Sequence, residues 1–260
     1  MIMAMNRIDD IFSKKEGLLS IYFTAGYPKI DDTVRVLSAL EKSGVDFVEI
    51  GMPFSDPLAD GPVIQRASLD ALHNGMCVKK LMEQLKDVRQ TVSMPIILMG
   101  YINPVFHYGM ERFLDDCKER GVDALILPDL PWDEYIAHYK SLMDERGIRF
   151  IPLIAPQTPD ERIRQIDRDA QGFIYMVASA GITGNIKTSV DYRTRYFERV
   201  RSLGLKNKRM IGFGVKDKAG FEHACAHASG AIIGTAFVNH VKEHGVSDES
   251  VAQFVKAIKG

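Results

Sequence analysis

Short runs of β-branched and aromatic residues alternate along this chain with longer segments whose apolar positions recur every three to four residues. The short runs fall at 18–23, 46–50, 95–99, 123–127, 149–154, 173–177, 210–213 and 231–233, and each reads as a buried strand. Between them the helical period predicts helices over 31–43, 63–90 (one or a pair), 111–120, 132–146, 159–168, 192–203 and 219–228, with a last helical region from 236. The punctuation agrees. Asp31 and Asp32 put acids at a helix start, Gly44 stops that helix, and Pro159 stands at the first position of another. One further helix, 8–15, precedes the first strand and is expected to cap the bottom of the fold. Eight strands, each followed by a helix, over 260 residues form the α/β pattern of a (β/α)8 or TIM barrel, expected as a single domain over 1–260 with an extra N-terminal helix. A doubly wound sheet shares the alternation but normally has fewer units and a nucleotide fingerprint.

Composition narrows the class. Hydrophobic residues make up 46% of the chain, enough for a sizeable core. The 33 basic and 34 acidic residues leave a net charge of −1 with no basic block to track a phosphate backbone, which argues against nucleic acid as a partner. Cys77, Cys117 and Cys225 are an odd number, far apart and without CxxC spacing, as reduced thiols of a cytoplasmic protein would be, and no zinc site is visible. The apolar start at Met1 runs straight into Asn6, Arg7, Asp9 and Asp10, too short for a secretory signal, and no run approaches a membrane span.

The candidate chemistry concentrates at 48–61, VEIGMPFSDPLADG. Side chains alternate along a strand, so Phe47 and Glu49 share one face and Asp46, Val48 and Ile50 the other. Pro53, Pro57 and Pro62 then forbid regular structure and leave an ordered but mobile loop carrying Asp56 and Asp60. A rigid acid beside a mobile one is the arrangement of a lid closing over chemistry. Against this stands the ordinary reading: a strand Glu is more often half-exposed or salt-bridged, and Asp beside Pro or Gly is common turn chemistry. Glu49, among barrel-interior side chains, is expected to have a raised pKa, and Asp60, nearer solvent, to stay ionised.

Glycines mark the other candidate region. Ala180 to Gly184 follows strand six, Gly212 and Gly214 end strand seven, and Gly234-Thr235 ends strand eight where a helix begins. Backbone N–H groups there can approach an anion closely with the helix dipole behind them, so no Lys is required, although the same glycines would serve plain βα turns. Gly212-x-Gly214 lacks the third Gly of a dinucleotide motif, since Asp217 stands there, and no P-loop occurs. His223 and His227, four apart with Cys225 between them, read as a solvated helix surface rather than a metal site. The predicted strands hold no Lys or His, which removes Schiff-base and metal-held enolate chemistry and leaves acid–base catalysis.

VEIGMPFSDPLADG, with YFTAGYP before it and MGYINPVFHYG, LILPDLP, ASAGITG, GFGV and GAIIGTAF after it, resembles the tryptophan synthase α-subunit family over essentially the whole chain. The resemblance implies a lyase that splits indole-3-glycerol phosphate into indole and glyceraldehyde 3-phosphate. It gives Glu49 the role of protonating indole C3 and helping to deprotonate the glycerol hydroxyl, and Asp60 that of meeting positive charge at the indole N–H. Tyr175 and Thr183 match residues near the substrate, and Tyr22, Met99, Ile126 and Ile154 are strand-end residues for an indole slot, though a barrel core also holds such residues. Gly184, Gly214, Gly234 and Thr235 match the phosphate cradle. Ser179 stands where many members have Arg, which bears on loop closure. The resemblance further implies no cofactor in this chain, a β-subunit partner carrying pyridoxal phosphate in an α2β2 heterotetramer, and docking at the rim of Asp56, Asn103 and Pro104. Two competitors remain: another phosphate-binding barrel such as a sugar-phosphate isomerase or indole glycerol-phosphate synthase, which want a His or Lys residues at strand ends, and a non-catalytic partner-activating barrel, which would lack Glu49 or Asp60.

Overall fold

The computed structural model describes residues 5–178 and 190–260. Among them nine strands form one parallel sheet: β1 (Leu18–Thr24), β2 (Phe47–Gly51), β3 (Ile96–Met99), β4 (Ala124–Ile126), β5 (Arg149–Phe150), β6 (Leu153–Ile154), β7 (Phe173–Val177), β8 (Lys208–Gly212) and β9 (Gly230–Ile233). They pair in the order β5-β4-β3-β2-β1-β9-β8-β7-β6. The two ends of that order are neighbours in the chain, separated only by Ile151 and Pro152, and this closes the ring. Ile151 N–H donates to the Leu125 carbonyl on one side at 2.9 Å, and the Pro152 carbonyl accepts from Tyr175 N–H on the other at 2.9 Å. Pro152 faces β7 with its carbonyl but has no N–H to donate on that side, so the stave predicted over 149–154 is split in two. The architecture is therefore the (β/α)8 barrel, with eight staves.

The helices are α1 (Arg7–Lys14), α2 (Asp32–Lys42), α3 (Pro62–His73), α4 (Val78–Gln84), α5 (Ile102–Tyr108), α6 (Met110–Arg120), α7 (Trp132–Glu134), α8 (Lys140–Asp144), α9 (Asp160–Asp169), α10 (Val190–Ser202), α11 (Lys218–Cys225), α12 (Thr235–His244) and α13 (Asp248–Lys259). A π turn, Tyr135–Tyr139, joins α7 to α8 within the helix predicted over 132–146. Two breaks differ from expectation. The loop after β3 contains α5, with Pro104 at its third position, inside the first turn where a proline is tolerated; and the C-terminal helical region is two helices, because Gly245 at φ 71° ends α12 and Ser247 caps α13 by accepting from Ser250 N–H.

The bottom of the barrel is plugged by aromatic rings. Phe12 of α1 meets Phe47 and Phe173 at ring-centroid distances of 5.9 and 5.2 Å, and these two meet each other at 5.6 Å. A polar latch holds α1 in place: Asn6 Nδ2 donates to the carbonyls of Asp123 (2.9 Å) and Gly147 (2.8 Å), while the Asp123 carboxylate accepts from Arg7, Arg89 and the N–H of Ile96. The sealed bottom leaves the carboxyl ends of the strands for a site.

The seam between β1 and β9 depends on a missing side chain. A Cβ on Gly230 would stand 2.0 Å from the Leu18 carbonyl oxygen, a backbone atom fixed in the ladder. Gly230→Ala is expected to cost about 3 kcal/mol, at the upper end of overpacking penalties. Gly61→Ala, where a Cβ meets nothing within 4 Å, is expected to leave stability close to the parent's. Urea unfolding of the two variants checks the contrast, and equal midpoints would contradict it.

Candidate active site

Strand alternation decides which groups reach the barrel interior. Phe47 and Phe173 join the aromatic plug, so two residues further along each strand Glu49 and Tyr175 also face inward, followed by Gly51 and Val177. Tyr22 is in register with Glu49 and shares that face. Two glycines make room for the tyrosines: the Tyr22 hydroxyl lies 2.1 Å from where a Gly51 Cβ would stand, and the Tyr175 hydroxyl 2.0 Å from that of Gly212. Gly51 is the next inward position above Glu49, so the Tyr22 ring roofs the glutamate.

Glu49 is 0% exposed, and among the described residues neither carboxyl oxygen has a hydrogen-bond partner. Burial pushes its pKa up to about 8, far above the ordinary carboxylate range, with no cation offsetting the desolvation. Tyr22 and Tyr175 have raised pKa values for the same first reason, burial, and both feel the negative charges of Glu49 and Asp60. The two acids thus act on one pair of phenols.

Asp60 departs from expectation. It is partly buried rather than at the solvent edge, and burial raises its pKa, partly offset by a hydrogen bond from the Tyr101 hydroxyl at 3.3 Å. The same hydroxyl accepts from Ala59 N–H at 2.8 Å, the Tyr101 ring packs on Phe54 at 5.3 Å, and Gln65 Nε2 donates to the Asp60 carbonyl at 2.9 Å. The loop is tied to its neighbours by name.

Above the roof lies a cavity of about 440 Å³. Tyr22, Asp60, Met99, Tyr175, Gly214, Gly234 and Thr235, all singled out from sequence, line it together. Ile64, Phe213, Lys216, Ile232 and Asn239 also line it, and the sequence did not point to them. Asn239 follows Thr235 by four residues on α12 and so shares its face, a spacing legible once the helix start is known. The glycine-rich end is conformationally special: Phe213 and Gly214 stand in succession at φ 63° and 90°, and for a phenylalanine that backbone costs about 1–3 kcal/mol. Gly234 immediately precedes α12, so the helix's free N–H groups open toward the cavity.

Other expectations change. Glu49 does not line the cavity but lies beneath its tyrosine floor. Ile126 faces inward in register with Met99 yet is wholly buried, and Ile154 points the other way: it pairs with Met176, whereas Leu153 pairs with Tyr175 and holds the inner face. Thr183, Gly184, Ser179 and Ala180 lie outside the described residues. Asn103 and Pro104 line a separate rim groove of about 690 Å³ with Pro53, Phe54 and Ser55, and Asp56 is exposed beside it. A lysine does occur in a strand, Lys208 of β8, but it is exposed at the bottom end and pairs with Glu16. His223 and His227 are half-buried against Phe197 rather than solvated, and among the described residues no group of three or more His, Cys, Asp or Glu could hold a metal.

A (β/α)8 barrel with a cavity at the carboxyl ends of its strands is the architecture of a barrel enzyme. The family model described as tryptophan synthase alpha chain matches residues 8–260, and the chain belongs to that family, the lyases that cleave indole-3-glycerol phosphate to indole and glyceraldehyde 3-phosphate. It is 53% identical to the tryptophan synthase alpha chain of Christiangramia forsetii over 98% of this chain and 99% of the relative, and 51% identical to that of Flavobacterium psychrophilum over 98% and 100%. Among solved structures it is similar to the tryptophan synthase alpha chain of Legionella pneumophila, with a TM-score of 0.84, 33% identity and 98% of each chain covered. It is also similar to a chain of the tryptophan synthase complex from Pyrococcus furiosus, with a TM-score of 0.82, 34% identity and coverage of 94% and 98%. Among the described residues no helix is long and apolar enough to cross a membrane.

The state of Glu49 fixes a pH dependence. Folded Glu49 keeps its proton up to about pH 8, while in the unfolded chain it is released near 4.5. Between those values the folded state binds more protons, so this group makes stability fall as pH rises. Glu49→Gln removes the effect, and its melting temperature relative to the parent is expected to climb from about pH 5 to 8 and then level off. Calorimetry across that range checks it; a difference that does not vary with pH contradicts it.

Proposed function

We propose that Glu49 and Asp60 divide the cleavage between them. Glu49, protonated at neutral pH by its burial, gives its proton to indole C3, and the ring nitrogen becomes a positively charged iminium N–H. Asp60 meets that charge as a carboxylate. The glycerol hydroxyl then returns a proton to Glu49, the bond between indole C3 and the glycerol carbon breaks, and its electron pair restores the aromatic ring as the aldehyde forms. One proton leaves Glu49 and one comes back, so the enzyme ends as it began. The observation that carries this reading is the glutamate itself: rigidly placed, unpaired, and neutral where a strand acid would ordinarily be salt-bridged. Among the described residues no hydrogen bond holds its carboxyl, so none has to break for it to meet the substrate.

The substrate lies with its phosphate at Gly214, Gly234 and Thr235 and its indole between Tyr22, Met99, Ile64 and Tyr175, which are apolar or aromatic on the cavity side. The barrel works as one domain, in the cytoplasm, and holds no cofactor of its own. It passes indole to a tryptophan synthase β subunit carrying pyridoxal phosphate within an α2β2 assembly. Supporting a partner at the rim, Leu58 and Phe106 are 75% and 49% exposed, and the groove of Asn103 and Pro104 runs beside the Asp60 loop.

Kinetics on two variants test the division. Glu49→Gln is expected to lower kcat by roughly 10²–10⁴-fold with little change in KM, since an amide cannot cycle a proton. Asp60→Asn is expected to lose about 10²-fold or more, since it cannot meet the iminium charge. Near-parental turnover in the first would remove Glu49 from the chemistry, and in the second would leave Asp60 a loop residue.

A further inference from the structure

We infer that Lys216 is the cation that receives the substrate's phosphate and sets the enzyme's affinity for the phosphorylated over the unphosphorylated molecule; this rests on reading the glycine end of the cavity as its anion site. Lys216 lines the cavity together with Gly214, Gly234 and Thr235. It also lines a smaller adjoining cavity of about 300 Å³, where Arg193 is a second basic group. Arg193 Nη1 reaches within 3.5 Å of where a Gly214 Cβ would stand, so cationic groups flank that glycine.

Lys216 is uncommitted. Among the described residues no ion pair or hydrogen bond holds its ammonium, whereas Lys15, Lys42, Lys140, Lys208 and Lys259 are each paired with a carboxylate. No ion pair joins it to its neighbour Asp217, whose carboxylate caps α11 by accepting from Gly220 N–H at 2.9 Å. The cavity's acid, Asp60, follows β2, which is three positions away from β8 in the order of the sheet. The cavity is thus polarised, with the carboxylate on one side and the lysine on the other.

The backbone gives a reason for the placement. Lys216 comes two residues after Gly214 in a turn where two successive residues hold positive φ, and one of them is a phenylalanine. Such backbone persists only when its surroundings enforce it, and it clusters at ligand-binding turns. Here it turns the chain at the end of β8 so that Gly214, Val215 and Lys216 all reach the cavity. The glycine N–H groups and the α12 N-terminus supply directed but neutral donors, and Lys216 supplies the full charge that a dianion calls for.

The test is calorimetric binding of glycerol 3-phosphate, which carries the phosphate without the indole, to Lys216→Ala, Lys216→Arg and Lys216→Glu, with Gly234→Asp as a check on the anion site. Lys216→Ala is expected to weaken binding about tenfold, the loss of one charge-assisted contact. Lys216→Glu is expected to weaken it further and Lys216→Arg to stay within about twofold of the parent. Turnover of the phosphorylated substrate should show the loss in KM more than in kcat, and binding of unphosphorylated indole glycerol should not change. Added salt should weaken phosphate binding by the parent more than by Lys216→Ala. Parental affinity in Lys216→Ala with weakened binding in Gly234→Asp would overturn the lysine's role and leave the anion site standing. Parental affinity in both would overturn the anion site as well, and equal loss of the phosphorylated and unphosphorylated ligands in Lys216→Ala would show that the lysine acts through the fold.

Discussion

A carboxyl group enclosed by a barrel wall and met by no cation cannot be charged cheaply, because moving a carboxylate out of water costs several kcal/mol even after relaxation. Glu49 is in that position, and the surrounding structure can be understood as what keeps it there. The Phe12, Phe47 and Phe173 rings close the barrel below it, and α1, latched through Asn6 and Asp123, keeps that plug in place. The Tyr22 ring closes it above, and that ring fits because Gly51 has no side chain: a Cβ there would stand 2.1 Å from the Tyr22 hydroxyl. The result is a neutral acid at neutral pH, held where a proton can be delivered in one direction and recovered.

The second acid works in a different setting. Asp60 sits on a loop and takes its position from Tyr101, Gln65 and the Phe54 ring contact, so its placement depends on side chains from several elements rather than on one strand. Burial raises both pKa values, but among the described residues Asp60 has a hydrogen-bond donor and Glu49 has none. That difference separates the two roles. At the far side of the cavity the glycine turns and the start of α12 present donors, and the proposed function has a substrate with an aromatic head and an anionic tail lie along that length.

The sequence made the alternation of strands and helices plain because buried parallel strands are continuous apolar runs, and it made Glu49 a candidate because an acid in such a run stands out, while its role came from the resemblance. Strand parity then predicted the shared face of Phe47 and Glu49, which the ring contacts of Phe47 bear out. What it concealed was set by distant partners. The split of the fifth stave follows from ring closure at Pro152, and the outward turn of Ile154 follows from its register with Met176. For the first the only local signal is Pro152, and the second has none. Tyr101 lies within MGYINPVFHYG, but its role is set by the Asp60 and Ala59 atoms on either side of its hydroxyl. Lys216 was passed over because backbone donors alone suffice for an anion in principle, and only the cavity shows which nearby lysine is unengaged.

The neutral buried glutamate is the claim on which the rest hangs, and its titration can be watched directly. Infrared difference spectra of the resting protein, parent minus Glu49→Gln, isolate the carboxyl stretch of this one side chain as pH is raised. A protonated band that persists through neutrality and disappears with a midpoint near pH 8 is the expected result. A midpoint in the ordinary carboxylate range of about 4 to 5 would mean that Glu49 is charged when substrate arrives, and the account of how this barrel delivers a proton would be wrong.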